Sequence, residues 1–209
     1  MIAIIDYGAG NLRSIRTALE RVGATVAMAV EPGIVAAASA VVLPGVGAAG
    51  PTMRRLQETG LDDALRQVFH SGKPFLGICL GLQLLFQQHE EGDVPGLGLL
   101  AGSARRLPAG LKIPHMGWNQ IEPWYSSWNE AGAAQSMFAD IPPGSYVYFV
   151  HSFYVDPVDP TVIAARTTYG IPFCSAIASG QVWGTQFHPE KSGEVGLRLL
   201  RNFVRFCKS

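Results

Sequence analysis

The sequence contains few cysteines, carries no net charge and has no long apolar run, and each of these absences excludes a class of protein. Its 209 residues include three cysteines, Cys79, Cys174 and Cys207, which form neither a disulfide framework nor a zinc-binding pattern. Sixteen basic side chains balance 16 acidic ones, so the chain lacks the basic surface that a nucleic acid or an anionic membrane would require. No apolar stretch reaches the roughly 18–20 residues of a membrane span. We therefore expect a cytoplasmic protein with free thiols, and nothing in the sequence predicts a metal ion or a cofactor.

The first half of the chain alternates short apolar runs with segments of helical periodicity. Strands are predicted at residues 2–7, 25–30, 40–43 and 73–78, and helices at residues 12–22, 53–59, 61–71 and 80–88. Strands that alternate with helices indicate βαβ units and a mainly parallel sheet with helices on both faces.

The second half is richer in short β-like runs, separated by glycine, proline, asparagine and aspartate. They lie at residues 113–118, 146–155, 162–168, 173–178 and 181–186, before a closing helix at residues 194–206. Such runs predict antiparallel or mixed additions to the edge of the sheet. The expected fold is therefore a single α/β domain over residues 1–209, with a doubly wound, mainly parallel sheet and these β additions in its C-terminal half.

Cys79 lies where a predicted strand ends and a predicted helix begins, between Gly77 and Gly81. A nucleophile on such a turn is lifted above the edge of the sheet, and the glycines leave room for a strained backbone and close helix packing. The start of the following helix favours the thiolate, and the N–H of Leu80 is placed to donate to an oxyanion. A free cysteine is otherwise usually a small buried side chain, which is the interpretation for the other two cysteines.

A histidine and a glutamate near the C-terminus can supply a base and a group that orients it. Pro189 pushes His188 into an extended conformation, and side chains two apart in an extended segment point the same way. Glu190 can then fix the tautomer of His188 and stabilise its imidazolium. His70 and His89 lie at predicted helix ends and are expected in solvent.

Gly45, Val46 and Gly47 follow a predicted strand whose end lies at the same edge of the sheet as Cys79. Because glycines flank Val46, its peptide can rotate without a Cβ clash, and its N–H can face an oxyanion. An ordinary glycine-rich turn is an equally good interpretation. A phosphate-binding loop is excluded because the Gly-Lys-Ser/Thr ending is missing.

The Gly-x-Cys-x-Gly turn and the later His-Pro-Glu resemble the class I, or triad, glutamine amidotransferases. That resemblance implies hydrolysis of glutamine to glutamate and ammonia through a thioester. Five blocks, in family order and over nearly the whole chain, are similar to one branch of the class, the glutaminase subunits of imidazole glycerol phosphate synthase. The blocks PGVGA, GICLGLQ, PHMGWN, YFVHS and QFHPEKSG begin at Pro44, Gly77, Pro114, Tyr148 and Gln186. The first and third are typical of that branch, since most relatives carry Pro-Gly-Gly in the first.

The resemblance implies a role for each matching residue. Cys79 would be the nucleophile, His188 the general acid and base, and Glu190 the orienting group. The implied oxyanion hole consists of Val46, Gly47 and Leu80, and the implied glutamine site of Gly45, Gln83, His151, Ser152 and Phe153. Phe153 stands where the family often has tyrosine, so no hydroxyl contact is expected there.

The resemblance also implies a partner, a (β/α)8 synthase subunit that forms a heterodimer with this chain and uses its ammonia. In histidine biosynthesis that partner would convert a phosphoribulosyl nucleotide to imidazole glycerol phosphate and an aminoimidazole carboxamide ribotide. The implied partner face consists of Asn11, Trp118, Tyr148 and Lys191. The resemblance assigns no role to residues 123–134.

Three alternatives stay open. A glutaminase for another acceptor, such as the pyridoxal phosphate or anthranilate pathway, is disfavoured by the two branch-specific blocks. A non-catalytic binding subunit is disfavoured by the intact set of Cys79, His188 and Glu190. A stand-alone cysteine hydrolase or peptidase would turn over its substrate without a partner.

Overall fold

A computed structural model describes residues 1–8, 12–124 and 131–208, apart from the side chain of Ala131. The predicted interface residue Asn11 and residues 125–130 of the unassigned segment lie outside this description. The strands are β1 (Ile2–Ile5), β2 (Val26–Ala29), β3 (Ala40–Gly45), β4 (Phe75–Cys79), β5 (Phe86–His89), β6 (Val94–Pro95), β7 (Leu100–Arg106), β8 (His115–Pro123), β9 (Ser145–His151), β10 (Phe153–Pro157), β11 (Ile163–Tyr169), β12 (Ile171–Ser179) and β13 (Val182–Thr185). The helices are α1 (Leu12–Arg21), α2 (Pro32–Ala37), α3 (Ala49–Glu58), α4 (Leu61–His70), α5 (Leu80–Gln83), α6 (Ala131–Met137) and α7 (Gly193–Phe206).

The strands form one sheet in the order β2-β1-β3-β4-β13-β12-β10-β7-β5-β6. The run from β2 to β13 pairs in parallel. Beyond β13 the pairing is antiparallel, with β5–β7 as a parallel exception. A branch of β11, β8 and β9 extends from β12. The predicted class, an α/β fold with a parallel centre and antiparallel or mixed additions from the C-terminal half, is confirmed.

Alternate residues of each central strand sort into two hydrophobic cores on opposite faces of the sheet. In β1, Ile2 and Ile4 pack with α1, α6 and α7, whereas Ala3 and Ile5 pack with α2, α3 and α4. This explains why the central strands are continuous apolar runs, since side chains of period two are buried on both faces.

The predicted helix at residues 80–88 is wrong. The helix α5 ends at Gln83, and the chain then enters β5, which pairs with β7. Leu84, Leu85 and Phe86 are all fully buried. A surface helix would expose one side to water, and these three consecutive residues expose none. A short apolar run does not by itself distinguish a strand from a buried helix.

Other boundaries differ because of tertiary pairing. The predicted strand at residues 146–155 is two strands, since β9 pairs with β8, whereas β10 pairs with β7 and β12. The sequence pattern did not predict α2, α6 or β7. In the described part of the chain, no helix is both long and apolar enough to cross a membrane.

The topology brings three strand ends together. Gly45 at the end of β3 lies beside Cys79 at the end of β4, and Thr185 at the end of β13 lies beside Ile78. The carboxyl ends of parallel strands in such a sheet are where sites form.

Candidate active site

Cys79 has a backbone conformation that few side chains adopt, with φ +53° and ψ −110°. Strain of this kind costs about 1–3 kcal/mol and persists only where the surroundings impose it. Here the surroundings are closely packed backbone segments, which three glycines allow to approach one another. A Cβ on Gly45 would lie 2.5 Å from the backbone nitrogen of Gly81, and one on Gly77 would lie 2.9 Å from the Gly81 oxygen. A Cβ on Gly81 would overlap the carbonyl oxygen of Leu43, so α5 packs directly on the backbone of β3.

His188 and Glu190 form a buried pair. The Nδ1 atom of His188 lies 2.8 Å from Oε1 of Glu190, and their side chains are 2% and 6% exposed. His188 is extended as expected, but Pro189–Lys191 is a turn of 3-10 helix. The predicted contact is therefore confirmed, whereas the predicted route along an extended segment is wrong. The Nε2 atom of His188 has no hydrogen-bond partner in the described ranges.

The charge state of His188 depends on two neighbours. Burial lowers its pKa, but interactions with the Cys79 sulfur and the Glu190 carboxylate outweigh burial and raise the pKa to about 10. The imidazole is therefore a cation at neutral pH, next to the sulfur. The same sulfur lies 3.5 Å from the side-chain nitrogen of Gln186 and 3.9 Å from the carbonyl oxygen of Val150.

A cavity of about 410 Å³ opens in front of Cys79. It is lined by Val46, Gly47, Cys79, Leu80, Gln83, Glu91, Pro114, Val150, His151, Ser152, Phe153 and Lys191. Gly45, His188 and Glu190 instead line a cavity of about 10 Å³ at Ile78. The structure thus gathers the predicted nucleophile, oxyanion and substrate residues around two adjoining spaces. No group of three or more metal-ligating side chains occurs among the residues described.

The strand end next to Cys79 is held by Tyr7, a residue that sequence reasoning did not select. Its hydroxyl donates to the carbonyl oxygen of Pro44 at 3.3 Å. Burial raises the pKa of Tyr7 to about 12, so the hydroxyl keeps its proton and remains a donor. Close to this strand end, Gly47 has φ +101°, a conformation that favours glycine.

A chain of hydrogen bonds supports the part of the cavity wall that His151 and Phe153 form. Nδ1 of His151 donates to the carbonyl oxygen of Phe153 at 2.8 Å, so Nε2 of His151 must accept from Nδ1 of His115 at 2.9 Å. Nε2 of His115 then accepts from the Asn119 amide at 3.3 Å. Burial lowers the pKa of His115 to about 4 and that of His151 to about 3, so both rings are neutral. Each tautomer in the chain is therefore determined.

Gln83 joins this chain to His89. Its amide nitrogen donates to the carbonyl oxygen of Phe153 at 2.9 Å, and its oxygen lies 3.0 Å from Nε2 of His89. The expectation that His89 is solvated is wrong, since it is 1% exposed, whereas His70 is exposed as expected. The error follows from the helix wrongly predicted there, because β5 turns His89 inward.

Sequence reasoning also missed Glu91, which lines the cavity and accepts a hydrogen bond from the N–H of Ala49 at 2.8 Å. A single acidic residue in a loop carries no pattern that would have identified it.

The described members of the implied partner face, Trp118, Tyr148 and Lys191, lie together beside the cavity. Trp118 and Tyr148 are cross-strand neighbours in β8 and β9 with ring centroids 6.1 Å apart, and the Lys191 ammonium lies 5.9 Å from the Tyr148 ring. Met116, Trp118 and Tyr146 are 63%, 56% and 56% exposed. We call Met116, Trp118, Tyr146, Tyr148 and Lys191 the aromatic face.

Comparison with known proteins agrees with this geometry. The family model of glutamine amidotransferase class-I matches residues 3–206. A crystal structure of a glutamine amidotransferase superposes with a TM-score of 0.75 at 19% identity, covering 100% of this chain and 99% of that chain. The PurLQS structure from Thermotoga maritima gives a TM-score of 0.70 at 18% identity, covering 98% and 97%. The structural matches show the fold, and the family model shows that the chain belongs to the class I glutamine amidotransferases.

Sequence relatives narrow the class. The imidazole glycerol phosphate synthase subunit HisH of Moorella thermoacetica is 51% identical over 203 residues, which cover 97% of this chain and 93% of that protein. The HisH subunit of Thermosynechococcus vestitus is 50% identical over 210 residues, covering 99% and 97%. Within its class, the chain belongs with the HisH subunits of imidazole glycerol phosphate synthase.

Proposed function

We propose that the protein hydrolyses L-glutamine at Cys79 and passes the ammonia to a (β/α)8 synthase subunit with which it forms a heterodimer. One observation carries the chemistry: Cys79, on a strained turn at a cavity of about 410 Å³, lies next to the buried cation of the His188–Glu190 pair. Membership of the HisH family supports both the substrate and the use of the ammonia in histidine biosynthesis.

The first half of the reaction forms a thioester. The Cys79 thiolate attacks the side-chain amide carbon of glutamine, and the carbonyl electron pair moves to oxygen. Val46, Gly47 and Leu80 line the cavity beside Cys79, and their backbone N–H groups are the proposed donors for that oxyanion. His188, already protonated, gives its proton to the amide nitrogen, the C–N bond breaks, and ammonia leaves.

The second half restores the enzyme. His188, now neutral, takes a proton from water as the water oxygen attacks the thioester carbon. The C–S bond breaks, its electron pair returns to sulfur, and glutamate leaves. Glu190 holds the same ring nitrogen throughout and stabilises the imidazolium at both ends of the cycle.

Substrate binding uses the opposite side of the cavity. His151 and Gln83 both donate to the carbonyl oxygen of Phe153, so this wall, with Ser152, is rigid and carries no charge of its own. Glu91 on the rim supplies a negative charge for the α-ammonium group of glutamine. Phe153 offers a carbonyl and a ring here, so the hydroxyl contact of tyrosine-containing relatives has no counterpart.

The aromatic face is the proposed docking surface for the synthase. It exposes large apolar side chains, and Lys191 belongs both to this face and to the cavity lining. Docking there would cover the cavity and give ammonia a route into the partner. We also propose a cytoplasmic location, which the free state of Cys79, Cys174 and Cys207 supports.

The test compares Cys79→Ala with Cys207→Ala, a half-buried cysteine at the end of α7. Cys79→Ala should release no ammonia from glutamine, alone or with the synthase, whereas Cys207→Ala should match the wild type. The complex containing Cys79→Ala should still make product when ammonium salts replace glutamine. Near-normal glutaminase activity of Cys79→Ala would refute the covalent mechanism. Failure of ammonium to support turnover by a folded complex would refute the division of labour.

The partner assignment has its own test. Trp118→Ala should weaken binding to the synthase subunit, whereas Val158→Ala, at a position 74% exposed on the loop after β10, should not. Equal affinities, measured by calorimetry, would place the interface elsewhere.

A further inference from the structure

Gln186 is a buried side chain in contact with the proposed nucleophile, and none of the reaction steps so far uses it. It follows β13, is 0% exposed, and its backbone N–H donates to the carbonyl oxygen of Ser175 at 2.9 Å. Its side-chain nitrogen lies 3.5 Å from the sulfur of Cys79. Its side-chain oxygen lies 3.1 Å from the side-chain nitrogen of Gln83.

The surroundings determine which end of the Gln186 amide faces the sulfur. The carbonyl oxygen of Phe153 can only accept, so the Gln83 atom that contacts it must be the NH₂ group. One N–H of that group points at Phe153, and the other points at Gln186. The side-chain oxygen of Gln186 must accept this second N–H, because the reverse orientation of Gln186 would bury two NH₂ groups against each other. The NH₂ group of Gln186 is therefore directed at the Cys79 sulfur.

The short length of α5 makes this donor important. A helix of four residues has little dipole to offer the sulfur, so the stabilisation expected from a long helix at residues 80–88 is missing. Besides the carbonyl oxygen of Val150, which can only accept, two donor groups face the sulfur, the imidazolium of His188 and the amide of Gln186. Hydrogen bonds to an ionised acceptor are roughly twice as strong as neutral ones, so this amide favours the thiolate over the thiol.

We propose that the side-chain amide of Gln186 is a catalytic donor that stabilises the Cys79 thiolate and stabilises it again as the leaving group when the thioester is hydrolysed. In thioester formation the sulfur electron pair passes to carbon, and the contact weakens because a thioester sulfur is a poor acceptor. In hydrolysis the C–S bond breaks and its electron pair returns to sulfur. The Gln186 amide then donates a hydrogen bond to the thiolate that forms. Gln83 is a positioning residue in this scheme, since it orients Gln186 without touching the sulfur.

This inference rests on the proposed function for its leaving-group step, but its first test needs no glutamine. The rate of iodoacetamide alkylation of Cys79 is measured against pH in the full chain, with the modified peptide identified by mass spectrometry. Burial raises the pKa of both Cys174 and Cys207 to about 12, so neither of these thiols competes with Cys79 for the reagent near neutral pH. The titratable groups around the sulfur are His188, His151 and Tyr7, with Glu91 and Lys191 on the cavity lining, and the variants alter none of them.

Three variants make the comparison. Gln186→Leu removes the donor and should raise the midpoint of the alkylation profile by about one pH unit, with about a tenfold slower reaction near neutral pH. Gln186→Glu keeps the shape but puts a carboxylate oxygen against the sulfur, and should shift the midpoint further in the same direction. Thr185→Val is the control, because Thr185 is equally buried and its hydroxyl has no partner within the residues described.

Glutamine turnover in the synthase complex separates this role from a structural one. Gln186→Leu should lower kcat at least tenfold with little change in KM, because the contact acts on the sulfur and not on bound glutamine. Should Gln186→Leu not fold, Gln186→Glu carries the same comparison. A folded Gln186→Leu or Gln186→Glu protein whose alkylation profile superimposes on the wild type would overturn the inference. An absence of glutaminase activity in the wild-type complex would instead overturn the proposed function and leave the alkylation result to stand by itself.

Discussion

The Glu91 carboxylate accepts a hydrogen bond from the backbone N–H of Ala49 at 2.8 Å, which joins a residue of the cavity lining to α3, the helix that follows β3. In the proposed function Glu91 has two tasks, since its side chain lines the cavity while one carboxylate oxygen holds the start of α3. Only the first task depends on the charge, because a neutral amide oxygen could also accept this hydrogen bond.

Glu91→Gln should therefore raise KM for glutamine about 10- to 100-fold and leave kcat nearly unchanged, because the pairing with the substrate ammonium is lost. Steady-state glutamine hydrolysis by the synthase complex measures both constants. The matched control is Glu90→Gln, one residue away, whose carboxylate holds the Arg106 N–H instead. Equal effects of the two substitutions would show that general charge, and not the Glu91 position, matters.

Gly81→Ala should destabilise the protein by about 3 kcal/mol, because the added methyl group would overlap the Leu43 carbonyl and backbone cannot move aside as a side chain can. Gly33→Ala in α2 is the control, since nothing lies within 4 Å of the position that its methyl group would occupy, and the substitution should stabilise by about 0.4–1 kcal/mol. Urea unfolding of both variants tests this. A Gly81→Ala protein as stable as the wild type would mean that α5 does not pack on β3 as described.

The contribution of His188 to the free energy of unfolding should fall as pH rises between about 6.5 and 10, since the folded-state pKa of His188, about 10, exceeds its ordinary value of 6.5. In that window the folded His188 holds a proton that the same histidine has lost in the unfolded chain. The stabilisation is thus complete below pH 6.5 and lost as pH rises through 10. Cys79→Ala removes one of the groups that raise this pKa, so its stability should fall less steeply. Parallel curves from urea unfolding would argue that the sulfur does not act on His188.

Glutaminase activity should be low in the isolated chain and should rise when the synthase carrying its acceptor ligand docks. Val46 stands between Gly45 and Gly47, so its peptide can turn its N–H toward or away from the oxyanion. A missing oxyanion donor costs about 10²–10³ in rate, which a partner could restore by supplying roughly 3–4 kcal/mol. Hydrolysis is compared for the chain alone, with empty synthase and with loaded synthase. Three equal rates would reject this gating and favour a stand-alone hydrolase.

Local sequence patterns predicted much of the fold and of the site. The features that they did not predict depend on contacts between residues distant in sequence. The turn at Cys79 and the His188–Glu190 pair are local, because each depends on glycine or proline within two residues. The contact of Gln186 with Cys79 spans 107 positions of sequence, and that of Glu91 with Ala49 spans 42, so no local pattern marks either one. The error at residues 80–88 has the same origin, since only the pairing of β5 with β7 turns an apolar run into a strand.

The parallel pairing of β4 with β13 has a consequence for the order in which the protein is made. β13 lies close to the C-terminus, and contacts between segments so distant in sequence form late because the intervening loop must close first. During translation the Cys79 thiol therefore emerges long before His188 and Gln186, the two residues proposed to activate it. Under the proposed mechanism, a nascent or C-terminally truncated chain therefore cannot hydrolyse glutamine until β13 is in place.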